Sequence, residues 1–213
     1  MANTIQTACA PRRWLRVSLR NAFLLVAIAA VALGCVVHCE NTRRAAEERI
    51  KPLGGYIGWK ERGPKWLTRL VGRDVFALPW EVVFMNEPLH DDDLQALSGL
   101  EEARHVSISQ NSTFTGSGLR HLARMANLES LYIYDVPLTD DGFAKLPKIP
   151  TLRKIEFYAT VMTDKSIPLI EEFGYMNEIQ VGSDSLTKNA VQSLDVRMPS
   201  TTVGWSGQGY GGE

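Results

Sequence analysis

The feature that most constrains the fold is a repeat with a step of 24 or 25 residues. Pairs of apolar residues separated by one position recur at this step, and each predicts a short strand: Val82/Phe84, Val106/Ile108, Leu131/Ile133, Ile155/Phe157 and Ile179/Val181, with Val203 after a further step. A second apolar set keeps the same step and predicts a short helix after each strand: Leu94/Leu97, Leu119/Leu122, Phe143/Leu146, Ile167/Ile170 and Val191/Leu194. A fixed step in this range predicts an α/β solenoid, with a parallel sheet on one face and short helices on the other.

Each predicted helix has a capping residue at its start. In the third unit, Leu138 precedes Thr139, and Phe143 lies at the fourth helical position. The threonine oxygen is expected to accept hydrogen bonds from free helix N–H groups while Leu138 packs on Phe143. The same cap position is filled in the other units by Thr115, Thr163 and Thr187, with His90 as the exception.

These residues resemble a leucine-rich repeat. The third unit reads Leu128-x-x-Leu131-x-Ile133-x-x-Val136-x-Leu138-Thr139-Asp140, which is similar to L-x-x-L-x-L-x-x-(N/C)-x-L followed by T-D-x-G-L. That subtype occurs in bacterial repeat proteins and in the cysteine-containing repeats of F-box receptors. The resemblance implies five repeats over residues 82–203. No F-box sequence precedes them, so the ubiquitin-ligase role of those receptors is not implied.

The repeats depart from the family pattern in three ways. The Asn/Cys position holds five different residues, so no ladder of identical side chains is expected: Glu87, Asn111, Val136, Thr160 and Asp184. Units four and five have Ser166 and Ala190 in place of the glycine. Unit five also has Lys188 in place of the aspartate.

An apolar segment near the amino terminus predicts a membrane anchor. Ala22–Val37 is an uninterrupted apolar run, and residues 21–39 carry no formal charge. That length falls within the ~17–25 residues that span a bilayer as a helix, so we predict a transmembrane helix or signal anchor over residues 21–39. Residues 1–20 contain Arg12, Arg13, Arg16 and Arg20 and no acid, which predicts a cytoplasmic amino terminus and extracytoplasmic repeats. The order of an anchor, a cap over residues 40–81 and repeats is also similar to that of membrane-anchored bacterial repeat proteins.

Other interpretations of this segment stay open. A basic head before an apolar core also describes a cleaved secretory leader. Ala32-Leu33-Gly34-Cys35 resembles a bacterial lipoprotein cleavage box with the Leu-Ala order reversed, which would anchor the protein through Cys35. Cys35 and Cys39 are one helical turn apart, so they either crosslink a dimer or are simply small residues in a spanning helix.

Two further segments flank the repeats. Residues 40–81 are predicted to form a linker and an amino-terminal cap: a helix over Asn41–Lys51 that stops at Gly54-Gly55, a strand at Tyr56–Trp59, and a second helix over Lys65–Val71. The cap is needed because an uncovered solenoid end exposes its apolar core. An edge strand is expected around Thr201–Trp205, and residues 204–213 are interpreted as a Gly-rich disordered tail.

Composition argues for a binding module rather than an enzyme. Residues 82–203 contain 10 basic and 17 acidic residues, a net charge of −7, which disfavours a nucleic-acid surface. The acidic cluster at His90–Asp93 fits a helix start better than a metal site, with Ca²⁺ as the expected ion if one binds. His105 and His121 have no catalytic spacing, and Ser112, Ser117 and Ser183 lack a paired histidine and a nucleophile elbow. We expect no catalysis, no cofactor and no metal.

The candidate binding surface is the outward face of the predicted strands. Alternation places five pairs there: Val83/Met85, Ser107/Ser109, Tyr132/Tyr134, Glu156/Tyr158 and Gln180/Gly182. We predict that Tyr132, Tyr134, Glu156 and Tyr158 bind a protein, or a glycan, with Glu156 available to a basic group. Packing between neighbouring strands is the alternative role of the tyrosines. A structural or self-assembly role in the cell envelope is the alternative function.

Overall fold

A computed structural model describes residues 19–62, 65, 68–69, 77–86, 89–183 and 185–205. The chain divides into two compact units, Met1–His38 and Cys39–Glu213. In the first unit, every described residue is helical. The second unit contains all the strands of the described residues, and the candidate surface lies within it.

Helix α1 extends over Leu19–Ile50. Among the described residues it is the one helix long and apolar enough to cross a membrane. It contains the predicted span 21–39, and side chains such as Leu19, Phe23 and Val26 are exposed. Cys35 lies in this helix, but its side chain is outside the described part, as are Arg12, Arg13 and Arg16. The orientation across a membrane and the lipid attachment at Cys35 therefore stay predictions.

The second unit is mixed α/β, with an open sheet of seven strands arranged in sequence order. Strand β1 is antiparallel to β2, and every later pair is parallel. The strands are β1 (Gly55–Glu61), β2 (Ala77–Met85), β3 (His105–Ser109), β4 (Ser130–Tyr134), β5 (Lys154–Thr160), β6 (Glu178–Ser183) and β7 (Thr202–Trp205).

The register of the parallel strands follows the sequence repeat. Residues 24 or 25 positions apart pair across the sheet in one continuous row: Val82, Val106, Leu131, Ile155, Ile179 and Val203. All but Val203 are buried, and so are the partners two positions later in the first five units, such as Ile133 and Phe157. The predicted inward direction of these pairs is confirmed.

Short helical segments connect the parallel strands and bury the second apolar set. The segments are 3-10 helices at Asp91–Leu97 and Ser117–Arg124, helix α2 (Asp140–Phe143), a 3-10 turn at Asp164–Ser166 that leads into α3 (Ile167–Glu171), and α4 (Lys188–Arg197). Leu119, Phe143 and Val191 are among their buried residues. This burial is what the spacing predicts, because these side chains close the core against the sheet.

The predicted threonine caps form in three repeats and do not form in one. Thr139, Thr163 and Thr187 each accept a hydrogen bond from an N–H group in the turn that they start. Thr115 does not, so its predicted capping role is wrong. Gly116 occupies the N-cap position there with a φ of 100°, and the Thr115 hydroxyl instead donates to Asp91 Oδ2 at 2.7 Å.

Aspartates at the starts of the helical segments join consecutive repeats. Asp91 accepts a hydrogen bond from the hydroxyl of Thr115 in the next repeat, and Asp164 accepts from both the N–H and the hydroxyl of Thr187, at 2.8 and 2.9 Å. The sequence suggested only a helix-dipole role for these acids. In the second repeat, Gly116 occupies the position of this aspartate. The junction with the third repeat is made instead by the backbone, where the Thr139 N–H donates to the Thr115 carbonyl at 3.2 Å.

The amino-terminal edge of the sheet is covered by β1 and the end of α1. Ala46 and Ile50 are buried in the common core, and Gly54, with a φ of 67°, ends the short 3-10 turn after α1. The predicted helix stop and the Tyr56–Trp59 strand are confirmed. Strand β2 begins at Ala77, ahead of the expected Val82, because Ala77–Glu81 pair with β1.

Two predictions at the ends of this unit are settled only in part. Of the helix predicted over Lys65–Val71, three residues are described and helical, and the others, including Trp66, lie outside the described residues. The predicted edge strand is confirmed as β7. Gly204 and Trp205, which the predicted tail included, belong to this strand, and residues 206–213 lie outside the described part.

Candidate functional site

The three predicted tyrosines lie together on the outward face of β4 and β5. The ring centroids of Tyr134 and Tyr158 are 5.4 Å apart with an interplanar angle of 12°, and those of Tyr132 and Tyr134 are 6.1 Å apart at 23°. All three side chains are half-buried. The structure thus brings them into one stacked group, which we call the tyrosine stack.

Glu156 is held within the protein rather than left for a partner. The Tyr134 hydroxyl donates to its Oε2, and Lys154 Nζ lies 2.7 Å from its Oε1. Only 15% of the Glu156 side chain is exposed. The expectation of a carboxylate open to a basic partner is therefore corrected, because Lys154 and the Tyr134 hydroxyl already bind it. In the strand register Glu156 is opposite Tyr132, but its hydrogen bond comes from the hydroxyl of Tyr134.

The polar contacts continue onto β6. Lys154 Nζ also lies 3.1 Å from Glu178 Oε2, and the Gln180 amide donates to Glu178 Oε1 at 3.2 Å. Sequence reasoning missed Lys154 and Glu178 as part of this surface. Each is the first residue of its strand, and the two are 24 positions apart. The repeat step alone could therefore have predicted that they lie side by side.

This network shifts two protonation equilibria. Burial, followed by the hydrogen bond to Glu156, raises the pKa of the Tyr134 phenol far above its ordinary value. Hydrogen bonds to Glu156 and then to Glu178 raise the pKa of the Lys154 ammonium, against the opposing effect of burial. Tyr134 therefore stays neutral and Lys154 stays charged near neutral pH.

Three other positions predicted to face solvent are buried. Val83 pairs in register with Tyr56, and Ser109 pairs with Tyr134. Gly182 is also buried. Alternation gives the direction of a side chain but not its depth, and small residues beside large ones are shielded. Met85, by contrast, is 41% exposed, so the open surface consists of Met85, Ser107 and the tyrosine stack with its network.

The acidic cluster at His90–Asp93 is engaged in local contacts. Asp91 accepts from Thr115 and from the N–H groups of Gly116 and Gly118, which lowers its pKa although burial alone would raise it. Asp93 accepts from the N–H of His90 at 2.7 Å. Over the described ranges, no group of three or more His, Cys, Asp or Glu residues is placed to hold a metal.

His105 and His121 lie apart from the tyrosine stack. The ring of His105 packs 5.0 Å from that of Trp80, and burial lowers the pKa of His105. Burial also lowers the pKa of His121. Both side chains are half-buried. Of the predicted site residues, the three tyrosines form a partly exposed stacked group, and its chemistry suits contact and hydrogen bonding.

No model of a known protein family matches the chain. A comparison with curated proteins also gives no match.

Proposed function

We propose that the chain is a membrane-anchored leucine-rich repeat protein that binds a protein partner through the tyrosine stack. In this proposal residues 21–39 span the membrane, the amino terminus is cytoplasmic, and the repeats are extracytoplasmic. The repeat assignment is supported by one spacing of 24 or 25 residues, which relates the paired strands, the buried residues and the Asp–Thr hydrogen bonds. The length and apolar character of α1 support the anchor.

The tyrosine stack is the observation that carries the binding role. Stacking and the Tyr134–Glu156 hydrogen bond fix the rings before any partner arrives. A surface that is already ordered loses little conformational entropy on association. Tyrosine also combines large contact area with a polar group, which makes it a frequent anchor in protein interfaces.

The pairing of the Glu156 carboxylate defines the partner more closely. Because Lys154 is shared between Glu156 and Glu178, the centre of the surface offers aromatic edges and satisfied polar groups. Such a centre fits apolar or aromatic side chains of a partner rather than a single basic one. The repeats carry a net charge of −7, so basic residues at the rim of the partner would speed association.

A capture experiment tests this function. The full chain in detergent is immobilised, exposed to an envelope extract and compared with the double variant Tyr132→Ala/Tyr158→Ala. This choice leaves the Tyr134–Glu156 hydrogen bond in place. Each anchor should contribute about 1–2 kcal/mol, so the double variant should lose most of the captured protein.

The matched control is Tyr175→Ala, since Tyr175 is 41% exposed and lies outside the tyrosine stack. It should keep the captured protein. If the double variant captures the same proteins in the same amounts while melting like the parent, the tyrosine stack is not the binding surface.

Self-assembly is a second candidate because β7 is an edge strand. Within the described residues, nothing pairs with its outer side. An open edge offers unpaired N–H and C=O groups to another strand. Sedimentation of the detergent-solubilised chain separates the two functions, because oligomers that form without any other protein favour assembly.

A further inference from the structure

A small cavity at the amino-terminal edge of the sheet is separate from the tyrosine stack. It has a volume of about 220 Å³ and lies between the end of β1, the start of β2 and the chain just before β3. Its polar lining combines three cations, two carboxylates and one indole: Lys60, Arg62, Arg104, Glu61, Glu102 and Trp80.

Trp80 orders one side of this cavity. Lys60 Nζ lies 3.5 Å from the centroid of its ring and Arg104 Cζ lies 5.3 Å from it, which are cation–π distances. Arg104 is also paired with Glu129. Lys60 and Arg62 are exposed, and in the part of the chain that the structure describes neither forms an ion pair. The cavity therefore has two cations available to a ligand.

The cavity is connected to the last part of α1 through a contact of Arg43. Arg43 Cζ in α1 lies 4.9 Å from the ring centroid of Trp59, which directly precedes Lys60. The span is predicted to end at residue 39, about 6 Å of helix before Arg43. The cavity therefore belongs to the part of the chain that directly follows the predicted span.

Charge and aromatic content distinguish this edge from the repeats. Residues 40–81 contain nine basic and six acidic residues, a net charge of +3, against −7 for residues 82–203. Trp59 and Trp80 add two indoles. Tryptophan is enriched at membrane interfaces, and lysine and arginine form charge-assisted hydrogen bonds with phosphate oxygens.

We propose that this cavity binds a phospholipid headgroup in which a phosphate is joined to a primary ammonium. Lys60 and Arg62 hold the phosphate oxygens, and Glu61 and Glu102 accept hydrogen bonds from the ammonium. A purely anionic headgroup would leave both carboxylates next to its negative charge. The inference rests on the proposed membrane anchor, since only an inserted helix brings the cavity to the headgroups.

The test measures how fast phenylglyoxal modifies Arg62 in the full chain. The protein is reconstituted in nanodiscs of phosphatidylcholine alone, or with phosphatidylethanolamine or phosphatidylglycerol added, and modification is read by mass spectrometry. Arg62 should react about five-fold more slowly with phosphatidylethanolamine than with phosphatidylcholine alone, because only its primary ammonium can donate hydrogen bonds to the carboxylates; this ratio corresponds to ~1 kcal/mol. Arg124, which is exposed in the repeats, should react equally in all discs.

Two variants link the protection to the cavity. Lys60→Gln should abolish the protection of Arg62, and Lys145→Gln, at an exposed position of the repeats, should keep it. Both variants should melt like the parent. Loss of protection in Lys145→Gln as well would overturn the assignment to this cavity.

Further outcomes distinguish the alternatives. Equal Arg62 rates in all discs, or strongest protection with phosphatidylglycerol, overturn the proposed headgroup. Equal protection by soluble phosphoethanolamine in detergent micelles shows a soluble phosphate ligand and overturns a lipid source. Carbonate extraction of the chain from vesicles separates the two proposals. A released chain means that the anchor fails, and a retained chain with unprotected Arg62 means that only the headgroup inference fails.

Discussion

Asp140 joins two consecutive units by accepting both hydrogen bonds that Thr163 donates. The Thr163 N–H lies 2.8 Å from Oδ1 and its hydroxyl 2.7 Å from Oδ2, and the Ser166 hydroxyl also donates to Oδ1. Burial alone would raise the pKa of Asp140, but the hydrogen bonds from Ser166 and Thr163 together lower it. One carboxylate thus fixes where the next helical turn begins.

Replacing this carboxylate should destabilise the protein. An amide in Asp140→Asn loses the charge and cannot accept all three hydrogen bonds, so we expect a cost of about 1–3 kcal/mol in the free energy of unfolding. Asp141→Asn is the control, because Asp141 is exposed and should change stability by about 0.5 kcal/mol or less. Urea unfolding of the full chain in mild detergent, followed by tryptophan fluorescence, measures both. Equal midpoints would show that the contact does not hold the units together.

Acid should weaken the protein through the same group of aspartates. The pKa values of Asp91 and Asp140 are lowered from the ordinary 3.8, so the folded state favours their ionised forms. Their stabilisation is complete above pH 3.8 and is lost as the pH falls through the lowered values. Urea midpoints taken from pH 6 to pH 2 should drop below about pH 4. Asp140→Asn should drop less steeply, and an equal drop would contradict the assignment.

Glycine at position 142 is required by a close backbone contact. A Cβ atom there would lie 2.1 Å from the Thr115 carbonyl oxygen, so Gly142→Ala should cost about 1–3 kcal/mol through forced displacement of the backbone. Gly174→Ala is the matched control, since its nearest neighbour, the Glu171 carbonyl oxygen, would be 3.4 Å away. Thermal unfolding of both variants tests this difference. A fully stable Gly142→Ala would mean that neighbouring turns are spaced more widely than described.

Leu146 closes the core between the helical turns and the sheet. It is 6% exposed, and Leu146→Ala should cost about 2–5 kcal/mol because the truncated side chain leaves a cavity. The neighbouring Lys145 is exposed, so Lys145→Ala should be nearly neutral. Denaturant melts that give the two variants similar midpoints would disprove the inward direction of Leu146.

Tyr134 should ionise only under strongly alkaline conditions. Its pKa is raised by burial and by Glu156, so the stability that it contributes is complete below the ordinary tyrosine pKa and is lost as the pH rises toward the raised value. An ultraviolet absorbance titration of the parent against Tyr134→Phe isolates this phenol. Glu156→Gln removes the carboxylate and should shift the Tyr134 titration to lower pH. An unchanged titration in Glu156→Gln would show that burial alone sets the pKa.

Sequence periodicity predicted the elements whose positions are set by burial. The pairing of Leu131 with Ile155 and the burial of Phe143 follow from apolar residues repeated at one step, since a parallel sheet with covered helices is the arrangement that buries them all. The threonine at position 139 was recognised as a cap because its chemistry is local. These predictions need only residues that are close in sequence or related by the repeat.

Contacts between units were harder to predict because they depend on distances across the repeat. Thr115 looks like Thr139 in sequence, but Gly116 replaces the acid after it and adopts a positive φ, which changes the start of the turn. Likewise, the sequence predicted that Glu156 is available to a partner, whereas in the structure it is bound by Lys154 and Tyr134. The tyrosines were predicted on the correct face, but the partial burial of that face depends on side-chain packing.

Gly116 also has a consequence for how such a chain can be lengthened or rearranged. A side chain at this position would bring its Cβ to 2.2 Å from Leu138 and 3.1 Å from Gly142, so the third unit requires a glycine in the unit before it. The clash arises at the φ of 100° that Gly116 adopts, whereas the aspartates at the equivalent positions of other repeats have no positive φ, so a repeat with aspartate there would start its turn differently. When single repeats are duplicated or shuffled, this junction is therefore kept unchanged only where repeats two and three are copied as a pair.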